Sequence, residues 1–326
     1  SRKCSRLKRV KSPRWAIFTL KAMRAMPEWH EDSGPLSDRG STMIEIVMAF
    51  DDAFWAPTYA TMRSICLTTH PPRQLRFHLL HRPLTTEHRA AIASIADAYG
   101  ASLNFIDIDA RGILTERIAS FPRIRLRRLN PIVYARLFLG DLIDPAIERV
   151  LYLDSDLFIR TALDPLYGMD MKGHAIAAVL QPDRMHVIAG RDLRQRNAFS
   201  MADPYFNAGV MLIDMAQYRR MDFSAELAGL PAEELALFYY DQDMINFCFR
   251  GRILEVEPRW NLQNAEPAHE IFNPAIVHYS ANPKPWFAWS RVAFKRTYRH
   301  LMTNTYYYQY RRERLVRQAK RWLRLG

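Results

Sequence analysis

The stretch Arg149-Val150-Leu151-Tyr152-Leu153-Asp154-Ser155-Asp156-Leu157-Phe158-Ile159 constrains this chain more than any other. A run of β-formers drives into two carboxylates one residue apart, then resumes as a second apolar run. Leu151, Leu153, Leu157 and Phe158 favour burial, whereas Asp154 and Asp156 are costly to bury unpaired. The simplest solution is a buried strand that surfaces at its C-terminal end, with both carboxylates on one divalent cation. Side chains two apart in an extended segment share a side, so both acids can serve one site. The plainer alternative is a strand-to-turn junction in which Asp154 caps the turn and Asp156 is solvated.

Strand and helix patterns alternate from Met43 onward. Residues 44–50 read as a strand ending at Asp51-Asp52, and residues 57–67 as a helix with Pro57 in its first turn. Residues 75–80 form the next strand, 86–99 a helix closed by Gly100, and 103–108 a third strand. This β-α-β-α-β order argues for an α/β fold, with a parallel sheet and helices on both faces. The arginine-rich residues 121–130 break the rhythm as a loop, and a helix over 131–142 precedes the opening strand. Asp164-Pro165-Leu166 turns the chain away. Further strands are expected over 174–180 (ending near Asp183), 205–213, 253–256 and 275–279, with a short helix over 243–249 preceded by Asp241-Gln242. The chain thus divides into a basic and polar extension over 1–42, detached from the fold, a folded domain over 43–290, and a basic aromatic tail over 291–326.

A hydrophobic content of 49% excludes a mostly disordered protein. No apolar run approaches the ~20 residues of a spanning helix. The net charge is +12, but residues 1–24 carry nine cations and no acid, and residues 311–326 carry a net +6, leaving −3 for residues 25–310. A nucleic-acid groove places its charge within the folded body, so no nucleic-acid partner is expected. Basic tails suit an anionic membrane surface. Cys4, Cys66 and Cys248 form neither a disulfide framework nor a metal spacing. Cys66 and Cys248 lie among apolar residues as small core hydrophobes, and a reducing cytoplasm fits best. The apolar patch over 15–20 is cut short by Lys21, which argues against a secretory signal.

Open α/β sheets bind ligands outside the carboxyl ends of their strands. The polar residues at those ends are Asp51, Asp52, Asp154, Asp156, Asp183 and His278. Carboxylates with one imidazole suit Mn²⁺ or Mg²⁺ better than a structural zinc site. His278 is far from Asp156 along the chain, so the sequence alone does not pair them, and a His beside Tyr279 is equally at home as a satisfied structural residue. No G-x-G-x-x-G follows the first strand and no P-loop occurs anywhere. Nucleotide phosphates would need another neutraliser, which a divalent cation on two carboxylates supplies.

Four blocks occur in order: Leu151-Tyr152-Leu153-Asp154-Ser155-Asp156, Tyr205-Phe206-Asn207-Ala208-Gly209-Val210, Asp241-Gln242-Asp243, and His278-Tyr279 with Lys284-Pro285-Trp286. From about Met43 to Trp286 the chain resembles glycosyltransferase family 8, especially bacterial galactosyl- and glucosyltransferases of lipopolysaccharide and lipooligosaccharide cores. The resemblance implies a GT-A fold with a mixed, mostly parallel central sheet, a UDP-sugar donor, a saccharide or lipid-linked glycan acceptor, Mn²⁺ or Mg²⁺, and retention at the anomeric carbon. By the same resemblance Asp154 and Asp156, flanking Ser155, hold the metal and the donor, and His278 is the third metal ligand. Lys284 contacts the diphosphate. Ala49, Asp51 and Phe54 hold the uridine, Phe54 standing where a tyrosine is common. Arg136, Asp183, Asn207 and Asp241 surround the donor sugar, and Gln242 lies beneath the anomeric carbon. Two departures stand out. Ser280-Ala281-Asn282-Pro283 lacks the usual glycine before the Lys-Pro-Trp, and residues 183–201 are unlike other members.

The chemistry expected from this set is charge stabilisation of a departing diphosphate. Glycosidases retain configuration through a carboxylate nucleophile, whereas Gln242 is an amide and a poor one. Front-face attack by an acceptor hydroxyl, deprotonated by the leaving phosphate, is therefore the expected route. A rival is a haloacid-dehalogenase-like phosphohydrolase, although its usual Thr or Val two residues after the second Asp is here Phe158. A second rival is a non-catalytic basic protein that binds membrane or nucleic acid through its tails. Residues 306–325 space apolar and cationic side chains as an amphipathic helix on anionic lipid, which places the protein peripherally on the inner face of the cell membrane.

Overall fold

A computed structural model describes residues 43–69, 75–110, 112, 130–181, 203–231, 238 and 241–323. The extension over 1–42, the arginine-rich residues 121–129 and Asp183 lie outside the described residues.

Strand β1 (Ile44–Phe50) leads through a single 3-10 turn into α1 (Trp55–Thr68), then β2 (Leu75–His81), α2 (Thr86–Tyr99) and β3 (Ser102–Asp107). Thr85 starts α2, its hydroxyl accepting the His88 N–H, and Gly100 ends it at φ 70°. The expected helix over 131–142 is instead a 3-10 helix (Pro131–Phe138) that closes with one α-turn, α3 (Leu139–Leu142). The Tyr218 hydroxyl takes the Arg136 carbonyl at 2.8 Å, which a regular α-helix would use for its own next turn. Then come β4 (Arg149–Leu153), β5 (Leu157–Ile159), α4 (Asp164–Tyr167), β6 (Ile176–Leu180) and β7 (Phe206–Asp214). Helices α5 (Met215–Arg219), α6 (Phe223–Ala228) and α7 (Asp241–Cys248) precede β8 (Ile253–Val256), β9 (Leu262–Gln263) and β10 (Ile276–His278). The chain closes with α8 (Lys295–Leu301) and α9 (Asn304–Leu323).

The main sheet runs β3-β2-β1-β4-β7-β6-β8, parallel except where β7 runs antiparallel to both neighbours. Period-two alternation divides its side chains between two cores. In β4, Leu151 and Leu153 face α1, α2 and the small sheet, whereas Val150 and Tyr152 face α3, α5 and α7. Both described cysteines are buried in these layers, and burial pushes their thiols up to about 12.

The second apolar run of the opening stretch leaves this sheet. β5 pairs antiparallel with β10, which pairs with β9 in a separate three-stranded sheet. Asp154-Ser155-Asp156 is therefore the corner between two sheets. Helix α1 props that corner from below with two buried hydroxyls. Thr61 Oγ1 lies 3.0 and 2.9 Å from the Ser155 and Leu157 carbonyls and accepts the Leu157 N–H at 3.3 Å. Ser64 Oγ accepts the Ile159 N–H at 3.1 Å.

The C-terminal helix begins as part of the core. Tyr307 and Tyr310 are buried, and the fully buried Trp55 meets the rings of Tyr306 and Tyr310 edge-on. Beyond that point Leu315, Val316, Trp322 and Leu323 are exposed. No helix among the described residues is long and apolar enough to cross a membrane.

Replacing Thr61 by the near-isosteric Val strands the Leu157 N–H and removes the bond to the corner. The expected loss is about 1–3 kcal/mol of unfolding free energy, read as a lower urea midpoint at unchanged slope. An unshifted midpoint would deny Thr61 this role.

Candidate active site

The site forms where β1, β4 and β6 all end. Because β7 runs against β4, the start of β7 arrives at the end of β4, and the Asp154 N–H donates to the Gly209 carbonyl at 2.8 Å. Because β10 runs against β5, His278 pairs with Leu157, and the Tyr279 N–H donates to the Asp156 carbonyl. Two antiparallel pairings thus bring three distant segments to one point.

Asp154, Asp156 and His278 present one ligand atom each, all within 4.8 Å of one another. His278 Nε2 stands 3.6 Å from Asp154 Oδ2 and 3.3 Å from Asp156 Oδ1. The outer oxygens are held by cations. Arg136 Nη2 donates to Asp154 Oδ1 at 3.0 Å, and Lys284 Nζ to Asp156 Oδ2 at 2.6 Å. Burial pushes the Asp156 carboxyl up, but the Lys284 ammonium and the His278 ring more than reverse this and leave it below the usual range. Lys284 is itself aimed by the carbonyls of Tyr279 and Ser280.

The backbone pins the histidine. The Gly209 N–H donates to Asn207 Oδ1 at 2.9 Å, which fixes which way that amide faces. Asn261 Nδ2 donates to the same oxygen at 2.8 Å, so Asn261 Oδ1 is left facing His278 Nδ1 at 3.0 Å. Nδ1 then carries a proton, and Nε2 is the ring atom turned toward the carboxylates. Gly209 leaves no slack. A Cβ there would stand 2.2 Å from His278 Cε1 and 2.7 Å from Asp154 Oδ2.

The second half of the site is a buried ion pair ringed by amides. Arg136, expected beside the donor sugar, lies mostly buried over the Tyr152 ring, donates to the Ala208 carbonyl at 2.6 Å and pairs with Asp241. The Nε–Oδ2 approach of 2.6 Å is off the N–H line, so it acts as a Coulombic contact rather than a hydrogen bond. Burial pushes the Asp241 carboxyl up to about 6 against the pull of Arg136. Asp241 and Gln242 lie inside the first turn of α7 rather than ahead of it. Gln242 is engaged at both ends. Its Oε1 accepts from the Ala208 N–H and from Asn207, and its Nε2 donates to Gln181 and to Tyr205. Asn246, one turn along α7, bonds both backbone groups of Phe206 and so staples the helix to β7.

The remaining expected residues line the same edge. The Ser155 hydroxyl faces the Ala49 carbonyl at 3.4 Å. Asp51 accepts from Asn130 through one oxygen, while the other is buried without a hydrogen-bond partner among the described residues, and burial pushes its carboxyl up. Phe54 stands edge-on to Trp286, two residues beyond Lys284. Asp183 lies outside the described residues. Asn261 and Gln181 were not singled out from the sequence. Gln181 directly follows a strand, the position that flagged the acids, whereas Asn261 sits in a Pro-Arg-Trp-Asn turn that carries no such signal.

These residues can hold a divalent cation and keep a charged ligand beside it. The model of glycosyl transferase family 8 matches residues 45–290 of this chain. Glycosyltransferase GlyF of Streptococcus pneumoniae serotype 4 is 25% identical over 279 residues, covering 77% of this chain and 64% of that protein. The lipopolysaccharide 1,3-galactosyltransferase of Salmonella typhimurium is 24% identical over 255 residues, covering 73% and 72%. Among solved structures, the galactosyltransferase LgtC, in complex with donor and acceptor sugar analogs, superposes with a TM-score of 0.63 at 28% identity, covering 79% of this chain and 95% of that one. That match sets aside the phosphohydrolase and purely tail-driven readings, and with the mixed sheet and the four ordered blocks it makes this chain a GT-A glycosyltransferase of family 8.

Proposed function

We propose that the chain moves a hexose, galactose or glucose, from a UDP-sugar to a saccharide or lipid-linked glycan acceptor, with retention, in building a lipopolysaccharide core. The observation that carries this is the Asp154–Asp156–His278 triad, with Nε2 of its imidazole turned inward by a chain of amides ending on a backbone N–H. Two carboxylate oxygens and one imidazole are the donor set of Mn²⁺ or Mg²⁺. Once held there, the cation would neutralise charge building on the departing diphosphate.

The protein's own residues supply the rest. Lys284 keeps an ammonium beside Asp156, on the side where that charge grows. Arg136 spans Asp154 and Asp241 and keeps the Asp241 carboxylate paired, which weakens it as a nucleophile. Gln242 offers a fixed amide dipole, locked at both ends, to a sugar carrying oxocarbenium charge. A glutamine of LgtC is likewise an active-site position, since an active-site mutant of that enzyme replaces glutamine with glutamate. With neither side chain free to form a covalent sugar, the acceptor hydroxyl attacks from the leaving-group face and the departing phosphate takes its proton. Ala49, Asp51, Phe54 and Ser155 would hold the nucleoside, Asn207 the sugar, and Asp183 assists catalysis in this reading.

The exposed end of α9 supports membrane association. Leu315, Val316, Ala319, Trp322 and Leu323 fall on one helical stripe, flanked by Arg311 and Lys320. In this reading the enzyme works on the cytoplasmic face of an anionic bilayer.

Full-length protein incubated with UDP-galactose or UDP-glucose and Mn²⁺ is expected to release UDP. Asp156→Ala should slow that release by about a hundredfold or more, and release that persists at the normal rate in the variant or in EDTA would sink the metal reading. Gly209→Ala should stay folded by circular dichroism yet bind Mn²⁺ about 10–100-fold more weakly in calorimetry; equal affinity would remove His278 from the ligand set. In flotation with anionic vesicles, Leu315→Ser/Trp322→Ser should remain in the soluble fraction while the unaltered protein floats. Equal flotation would dismiss α9 as the anchor.

A further inference from the structure

The root of α9 joins the two loops that carry the donor-site candidates. Tyr310 Oη donates to the Ala53 carbonyl at 3.0 Å, between Asp51 and Phe54. Its ring meets Trp55 and Trp286 edge-on at 6.3 and 6.2 Å, and Trp286 meets Phe54 edge-on at 6.0 Å. One turn further along α9, Glu313 Oε2 accepts from Trp55 Nε1 at 3.0 Å, and its Oε1 faces His88 Nε2 at 3.1 Å. The opposite nitrogen of His88 faces Asp52 Oδ1 at 2.7 Å, and the imidazole lies flat on Trp55, with centroids 4.5 Å apart. Asp52 also accepts the Thr85 N–H at 2.9 Å. An acid–imidazole–acid line therefore runs from the helix to the loop after β1. Burial raises the Glu313 carboxyl, but the bonds from Trp55 and His88 more than reverse this and keep it ionised.

Apolar residues alone would dock a helix at this place. A half-buried line of polar groups adds little net stability over apolar isosteres, yet it fixes distance and register in a way that hydrophobic contact does not. The quantity it fixes here is the position of residues 51–54.

We propose that Tyr310 and Glu313 are positioning residues for the donor: through the Ala53 carbonyl and the His88–Asp52 pair they hold Asp51 and Phe54 where the nucleoside lies. The inference rests on the UDP-sugar reading above. It makes α9 part of the nucleotide site and not only a membrane attachment.

The test is steady-state hydrolysis of UDP-galactose and UDP-glucose by the full-length chain with Mn²⁺. Tyr310→Phe and Glu313→Gln are each expected to raise the donor KM about five- to tenfold, the size of one lost hydrogen bond to a charged or buried partner. Their kcat should stay within about twofold, the signature of lost ground-state binding. Gln318→Ala, on the exposed side of the same helix, should leave both constants unchanged. Unmoved KM values in both variants, against a normally active parent, overturn the positioning role and leave the donor reading intact. A parent that hydrolyses neither nucleotide sugar overturns the donor reading and this inference with it. Should Glu313→Gln fail to fold, Tyr310→Phe decides alone, because it deletes a single oxygen.

Discussion

One backbone N–H, that of Gly209, sets the chemistry of this site. A backbone amide cannot flip its donor, so it fixes the Asn207 carboxamide, which fixes Asn261, which fixes the tautomer of His278. The same strand pairing that places this N–H brings Gly209 against Asp154, at a distance that admits no side chain. Sterics and hydrogen bonding thus converge on a single residue of β7. Hydrogen positions on amides and imidazoles are otherwise ambiguous in a structure; here a peptide group removes the ambiguity.

Charge is handled by sharing. Three carboxylates, Asp154, Asp156 and Asp241, converge with two cations, Arg136 and Lys284. In each of the first two acids one oxygen takes a cation and the other faces His278. Isolated burial of such groups would be prohibitive. The surrounding amides of Gln181, Asn207, Gln242 and Asn261 supply dipoles without adding charge, so the cluster stays ordered while keeping an inward-facing set of lone pairs.

Much of this was legible in the sequence because it depended on local rules. The strand–helix alternation, Gly100 at the end of α2, and two carboxylates on one side of an extended turn are all short-range signals. The elements of the site were legible too, although Arg136 and Gln242 stood out only through the resemblance of four ordered blocks. What could not be read was long-range. Nothing local says that β7 runs antiparallel, that the chain turns a sheet corner at Asp156, or that Asn261 stands behind His278. Nor does anything local say that Arg136 stands between Asp154 and Asp241. The tail misled in a similar way. Of its tyrosines, read as part of an amphipathic surface, Tyr307 and Tyr310 are buried in the core, and only Tyr308 and the later apolar residues are exposed.

The small sheet has a consequence for how the enzyme comes into being. β5 is made early, yet its partner β10 lies more than a hundred residues downstream, so the contact closes a long loop and carries a high entropic cost until both strands exist. During synthesis the two carboxylates emerge long before their histidine and lysine. A nascent or interrupted chain therefore holds a pair of acids without His278 beside them, and cannot assemble the candidate cluster on a partly built body. Timing of this kind makes activity a property of the finished chain alone.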